Sequence, residues 1–274
     1  MSGVLFVVAT PIGNLGDISQ RALAILRDAD IIACEDTRHS RRLLDAYGIV
    51  RPLISLHQHN ERGSAEMLLQ RLQEGANVAL ISDAGTPLIS DPGALITRIA
   101  HEAGIIVSPI PGASSVIAAL SASGLSADRF CFAGFIPAKS GERQRFLSDY
   151  SFTPLTTIFF ETPHRIAETL SVMNEIYDGH RRLVITRELT KQFEQITMQT
   201  VASALQWLRA DSHHARGEFV LLLEAADKQE VADWQSFASE LRTAGLSAKD
   251  TAAFVAKHKN VNKKVVYQYL IDSK

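Results

Sequence analysis

The sequence predicts an α/β protein whose first part is a parallel sheet covered by helices on both faces. Three observations lead there. Short, almost unbroken apolar runs recur along the first half of the chain, and each is followed by a stretch whose apolar residues fall three or four apart. Strands buried on both faces read as such runs, which is the mark of parallel sheets. Where each run ends, Gly, Pro and Asp gather, at the position where open α/β sheets place their ligand loops.

In chain order, the strand-like runs of the first part are residues 4–9, 31–34, 53–56, 78–82 and 105–108. Helical patterns near 20–27, 40–47, 65–74 and 94–103 separate them, and a further helix follows near 115–123. Residues 133–141, Ala-Gly-Phe-Ile-Pro-Ala-Lys-Ser-Gly, gather breakers between periodic segments, so a second domain begins close by, near Phe130. Its strands are expected at 156–160, 183–186 and 219–223, with helices near 163–177 and 201–209, and a mixed sheet. From about Glu230 the pattern is purely helical: Trp234, Phe237 and Leu241 share one helix, Val265, Val266, Tyr269 and Leu270 another. The expected division is 1–125 for an N-terminal α/β domain, 126–228 for a second α/β domain, and 229–274 for a small basic helical domain.

Composition sets the outer limits. A chain of 274 residues, 46% apolar and 21% charged, can bury a sizeable core and is long enough for two domains. Cys34 and Cys131 lie in separate apolar runs, where thiols act as small hydrophobes rather than as a disulfide or metal pair, as expected of a cytoplasmic protein. The run at 4–9 is too short for a signal-peptide core, and no stretch approaches a membrane span. The net charge of −2 conceals an asymmetry: from Leu241 onward seven basic residues face Asp250 and Asp272, so the tail is +5 and residues 1–240 are −7. A basic end on an acidic body points to a polyanion, or else is an ordinary solvated helix surface.

The three loops that should carry chemistry are 10–17, 82–93 and 109–115, and none contains Lys, Arg or His. A phosphate site recruits Lys or a glycine-rich turn that opens straight into a helix. These loops offer instead Asp17, Asp83 and Asp91, small residues for close approach (Gly85, Gly112, Ala113), and the hydroxyls of Thr86, Ser114 and Ser115. Such a set suits a polar, zwitterionic or cationic ligand; alternatively the Pro and Gly only make turns and the acids only cap helices. Around His57 and His59 an i, i+2 pair could chelate, but no third ligand stands at a metal-site spacing, and no metal is expected.

The motifs Thr10-Pro-Ile-Gly-Asn-Leu-Gly-Asp17, Cys34-Glu-Asp-Thr-Arg38, Ser82-Asp-Ala-Gly-Thr-Pro87 through Asp91-Pro-Gly93, Pro111-Gly-Ala-Ser114 and Arg187-Glu-Leu-Thr-Lys191 carry a resemblance. Together they resemble the tetrapyrrole-methylase class of S-adenosyl-L-methionine-dependent enzymes. More closely, they resemble its branch that methylates the ribose 2′-hydroxyl of a decoding-centre cytidine in the 16S rRNA of the small ribosomal subunit. The resemblance spans essentially the whole chain and implies a two-domain tetrapyrrole-methylase-like fold with a small helical end. It implies a cofactor in the cleft between the domains, touched by Ile12, by Asp83, Ala84, Gly85, Thr86 and Ile89, and by Ser114 and Ser115. The second domain would add Phe160, Glu161, Glu188, Leu189 and Gly217, and the class implies a homodimer. Members acting in corrin pathways typically carry Gly-Asp-Pro where this chain has Gly85-Thr86-Pro87, which separates it from tetrapyrrole substrates.

Methyl transfer to a ribose hydroxyl needs alignment of the attacking oxygen and assistance with its proton. Glu35, Asp36, Glu161, Glu188 and Lys191 are the candidates; each acid could instead pair with Arg38, Arg165 or Arg187. Arg38, Arg41 and Arg42 follow the second strand, with Arg38 and Arg41 or Arg42 on one helix face; Lys139, Arg143 and Arg145 stand beside the Gly/Pro hinge, and Arg165 could line the same cleft, all candidates for RNA phosphates. Two other readings stay open: a methylase of a small molecule or protein, and a non-enzymatic RNA-binding module.

Overall fold

The five apolar runs of the first part become five parallel strands because each is apolar on both sides of its pleat, and helices supply a cover for each side. The structure is a computed structural model and describes residues 2–57, 60–259 and 261–272. It divides into two units: the chain up to Ala118 with Leu189–Gln192, and Ala119–Glu188 with the chain from Phe193 onward.

In the first unit, β1 (Val4–Val8), α1 (Gln20–Asp28), β2 (Ile31–Cys34), α2 (Thr37–Ala46), β3 (Leu53–Ser55), α3 (Glu61–Gln73), β4 (Val78–Leu80), α4 (Ala94–Glu102) and β5 (Ile106–Ile110) alternate. The helix α5 (Ser115–Ser123) follows. The sheet runs β3-β2-β4-β1-β5 with every pairing parallel. Strand alternation is visible in the packing. Val78 and Leu80 join Leu68 and Leu72 of α3 and Ile96 and Ala100 of α4, whereas Ala79 and Ile81 join Ala22 and Leu26 of α1 and Leu44 of α2. Each fully buried Leu or Ile stabilises by roughly 1.5–3 kcal/mol relative to exposure, so these two cores fix the strand register. Cys34 is buried among them.

The second unit holds β6 (Phe130–Phe135), α6 (Ser140–Ser148), β7 (Thr156–Glu161), α7 (Ile166–Ile176), β8 (Arg182–Arg187), β9 (Gln195–Thr200), α8 (Val201–Ala210) and β10 (Phe219–Leu223). Its sheet runs β6-β7-β10-β8-β9; β6 and β7 are parallel and the remaining pairs antiparallel, the mixed sheet expected. One face packs on α7 and α8 through Leu170, Met173, Ala204 and Leu208. The strand β9 and the helix α6 were not anticipated. In Gln-Ile-Thr-Met-Gln-Thr the apolar residues alternate and stay exposed at a sheet edge, and α6 opens on Ser140 and Gly141, which read as loop.

The chain ends in α9 (Lys228–Thr243), α10 (Ala248–Lys259) and α11 (Lys263–Asp272). Trp234, Ala238, Ala252, Val255, Val266 and Leu270 bury one another, and Phe152 of the preceding domain packs against them. No helix among the described residues is long and apolar enough to cross a membrane.

Candidate functional site

All five strands of the first sheet point the same way, so their carboxyl ends present their loops along one edge. The strand order reverses the direction of travel between β1, whose chain moves to β2, and β4, whose chain moves to β5 across β1. Adjacent strands departing in opposite directions leave a crevice between their loops. Across it, Thr10 and Gly85 form an isolated bridge: the Thr10 N–H donates to Gly85 O at 2.8 Å and the Gly85 N–H to Thr10 O at 3.1 Å. The buried Thr10 hydroxyl also donates to Ser82 O at 3.3 Å. The third loop is tied in by the Thr86 hydroxyl, which donates to Ala113 O at 3.1 Å.

These bonds make the loops 10–17, 82–93 and 111–115 a single cradle shaped by backbone. Gly85 has φ +78°, and a Cβ there would stand 3.1 Å from Ile12 Cγ2, so any side chain would fill the space above the buried Ile12. Leu88 and Ser90 adopt left-handed backbone at φ +73° and +67°. Such residues cost of order 1–3 kcal/mol each and persist where neighbours hold them. Part of that hold comes from α3. The Glu61 carboxylate accepts the N–H of Gly93 at 3.2 Å and of Leu95 at 3.4 Å, capping α4 from outside the loop. Asp91 is therefore not needed for that cap.

The acids at this edge separate into two kinds. Asp36 caps α2, accepting the Arg38 N–H at 2.8 Å, and its carboxylate meets the Arg38 guanidinium at 3.0 Å. Those bonds to Arg38 hold its pKa down at about 2. Among the described residues, Glu35, Asp83 and Asp91 form no salt bridge. Burial raises the Glu35 carboxyl, the charges of Asp83 and Asp91 raise it further, and His57 opposes them. Asp91 is raised chiefly by burial, with Ser82 lowering it and Asp83 raising it. Asp83 Oδ1 accepts the Asp36 N–H at 3.3 Å. Lys191 clusters with this unit as well: its Cγ lies 2.5 Å from where a Cβ on Gly13 would stand.

A family model described as tetrapyrrole (corrin/porphyrin) methylases matches residues 4–206. The chain belongs to the tetrapyrrole methylase family. A relative from Pasteurella multocida named ribosomal RNA small subunit methyltransferase I is 48% identical over 98% of this chain and 97% of its own length. One of the same name from Haemophilus influenzae is 46% identical over 98% and 96%. Among solved structures, uroporphyrin-III-C-methyltransferase from Thermus thermophilus shares the fold at TM-score 0.57 with 17% identity, over 81% of this chain and 94% of that one.

In this tetrapyrrole methylase, the site residues expected of the second domain take structural roles. Glu161 is buried. Its Oε1 accepts from Thr162 N at 2.7 Å and Arg165 Nε at 3.0 Å, and its Oε2 from the Thr169 hydroxyl at 2.6 Å, so it anchors the start of α7. Phe160 packs edge-on against Phe132 and Phe135. Glu188 has φ +51° and its Oε1 accepts the Glu218 N–H at 3.0 Å. Gly217, at φ +91°, is obligatory beside it: a Cβ would fall 2.4 Å from Glu188 Cγ. Leu189 is buried.

One expected phosphate contact needs correction. Arg143 is buried, and its guanidinium donates to Pro137 O at 3.3 Å, to Ala138 O at 2.8 Å and to Glu168 at 2.7 Å. Two carbonyls of the loop ahead of α6 and Glu168 of α7 hold the buried guanidinium in place, away from a phosphate in solvent. Arg38 and Lys139 are exposed, each with one acidic partner, Asp36 and Glu142. Arg165 is held by Glu161, Arg42 is exposed, and Arg41 is half-buried. Of the histidine pair, His57 is described and His59 lies outside the described residues. Glu61 was missed altogether, because on the sequence it is one more polar residue ahead of an amphipathic helix.

Proposed function

We propose that this chain is an S-adenosyl-L-methionine-dependent methyltransferase that methylates the ribose 2′-hydroxyl of a decoding-centre cytidine in the 16S rRNA of the small ribosomal subunit. The near-full-length similarity to relatives named ribosomal RNA small subunit methyltransferase I carries the reading. The cradle agrees with it. A methionine-derived sulfonium is a zwitterion with an extra positive charge, and three loops without Lys, Arg or His, beside Asp83 and Asp91, suit its two cationic centres and attract no phosphate. When bound, the cofactor supplies an electrophilic methyl group.

The chain's own residues would then bind and align. Ile12, Ala84, Gly85, Thr86, Ile89, Ser114 and Ser115 shape the cradle; Phe160, Glu161, Glu188, Leu189 and Gly217 stay proposed contacts through family resemblance. Of the five candidate bases, Asp36 is held too acidic and Glu161 is fully hydrogen-bonded. Glu188 and Lys191 remain candidates, and Glu35 is the favoured one, since burial and the neighbouring acids raise its carboxyl and a raised carboxyl is a stronger base. Exposed Arg38 and Arg42, with Arg41, Lys139 and Arg165, are proposed phosphate contacts. The reading also carries a homodimer and a cytoplasmic location.

The test is transfer of tritiated methyl from S-adenosyl-L-methionine to small ribosomal subunits, naked 16S rRNA and total protein in parallel. Label is expected in RNA, at one alkali-resistant linkage. Label confined to protein or to small molecules overturns the reading.

A further inference from the structure

An open groove of about 1060 Å³ runs along the second unit where α6 meets α10 and α11. Four of its side chains are cationic, Arg145 on α6, Lys249 on α10, and Lys263 and Lys264 on α11, against one carboxylate, Asp149. All four are exposed. Among the described residues none of them belongs to an ion pair within 4 Å. Asp149, on which the Lys264 charge acts, offsets at most one of the four; it also accepts a hydrogen bond from Asn262 Nδ2 at the junction of α6 with the α10–α11 turn.

The placement of two lysines is costly for folding alone. Lys263 and Lys264 occupy the first turn of α11, which contains no acid. The positive end of a helix dipole disfavours cations there by about 0.3–1 kcal/mol each, a cost that a bound anion would offset. Asn262 sharpens it: its Oδ1 caps the Lys264 N–H at 2.9 Å and so fixes the turn that presents both lysines. One helical turn along from Lys263 stands Tyr267, 42% exposed and lining the same groove. Long cations beside an exposed aromatic ring suit a nucleic-acid strand, whose phosphates pair with the cations and whose unstacked bases lie on the ring. An acidic peptide would use the charges and leave the ring without a role.

We infer that this groove is an RNA-gripping surface of the helical end, in which Arg145, Lys249, Lys263 and Lys264 hold the phosphate backbone of ribosomal RNA and Tyr267 stacks on an unpaired base. It rests on the ribosomal RNA reading above and adds a binding surface to it.

The experiment measures binding of naked 16S rRNA and of polyglutamate to the full-length protein and to its Lys249→Gln, Lys263→Gln, Lys264→Gln triple variant, across a salt series. Cofactor binding equal to wild type confirms that the variant is folded. RNA affinity is expected to fall by about tenfold or more at 0.1 M salt, with the log–log salt slope shallower by about 0.7–0.9 for each phosphate that is no longer neutralised. The corresponding triple Lys→Arg variant keeps wild-type affinity. Tyr267→Ala weakens RNA binding about fivefold or more at an unchanged slope. Wild-type RNA affinity and slope in the Gln variant overturn the inference. Loss of polyglutamate binding alone also overturns it, in favour of an acidic protein partner. Methyl transfer by the wild-type protein is scored in parallel. Absence of label from RNA defeats the underlying reading, whereas label in RNA together with unaltered RNA binding by the variant defeats only the groove.

Discussion

The edge of the first sheet and the groove of the helical end are opposite solutions to binding. The first is made of backbone: three loops without a basic residue, joined by the Thr10–Gly85 bridge and the Thr86–Ala113 bond. The second is made of long side chains on helices, with four cations and one carboxylate. A preorganised backbone cradle recognises a small ligand by shape and fixed dipoles, and its affinity depends little on ionic strength. Mobile cations recognise a polyanion by charge, and their affinity falls as salt rises. On the proposed function, the difference separates two tasks on one chain, holding a small charged donor and holding a long anion.

The largest expected effect tests the cradle edge. Glu35→Gln should lower the single-turnover methylation rate by about 10²–10⁴-fold if Glu35 takes the ribose proton. In the wild type the rate should fall as pH drops through the raised Glu35 pKa, and the variant should lose that limb. The linked stability change has a fixed sign. A carboxyl whose folded pKa lies above its unfolded value stabilises below the unfolded pKa, and that contribution is lost as pH rises through the folded pKa. Glu35→Gln should therefore raise Tm relative to wild type more at pH 8 than at pH 4. A rate and a pH profile unchanged by the substitution would remove Glu35 from the chemistry.

Next in size, Gly85→Val places a branched side chain at φ +78° and against Ile12. About 1–3 kcal/mol of backbone strain and the filled space should weaken cofactor binding about 10–100-fold by calorimetry and leave RNA affinity unaltered. Parallel loss of both ligands would erase the contrast between the two regions. Smallest is Thr86→Val, which removes the hydroxyl donor to Ala113 O. A missing hydrogen bond of about 0.5–1.5 kcal/mol should weaken cofactor binding about two- to tenfold, with no change in the salt slope for RNA.

What was legible in the sequence follows the same division. The parallel sheet could be read because Val78, Ala79, Leu80 and Ile81 are apolar toward both faces, a pattern only two helix layers can bury. The ligand loops could be read because Gly85, Pro87 and Gly93 mark turns at strand ends. By contrast β9 escaped, since an edge strand with exposed Ile196 and Met198 has no continuous apolar run. Arg143 was misjudged because a buried guanidinium and a phosphate-binding one have the same sequence; only the carbonyls of Pro137 and Ala138 tell them apart. Glu61 was invisible because its partners, the N–H groups of Gly93 and Leu95, come from 32 and 34 residues further along the chain.

The most direct test of the separation titrates S-adenosyl-L-methionine and 16S rRNA against one preparation of the protein from 50 to 200 mM salt. Cofactor affinity should move by less than about twofold, while RNA affinity falls with a log–log slope of about −0.7 to −0.9 per phosphate bound. Cofactor affinity falling in step with that of RNA, or RNA affinity that ignores salt, would contradict it.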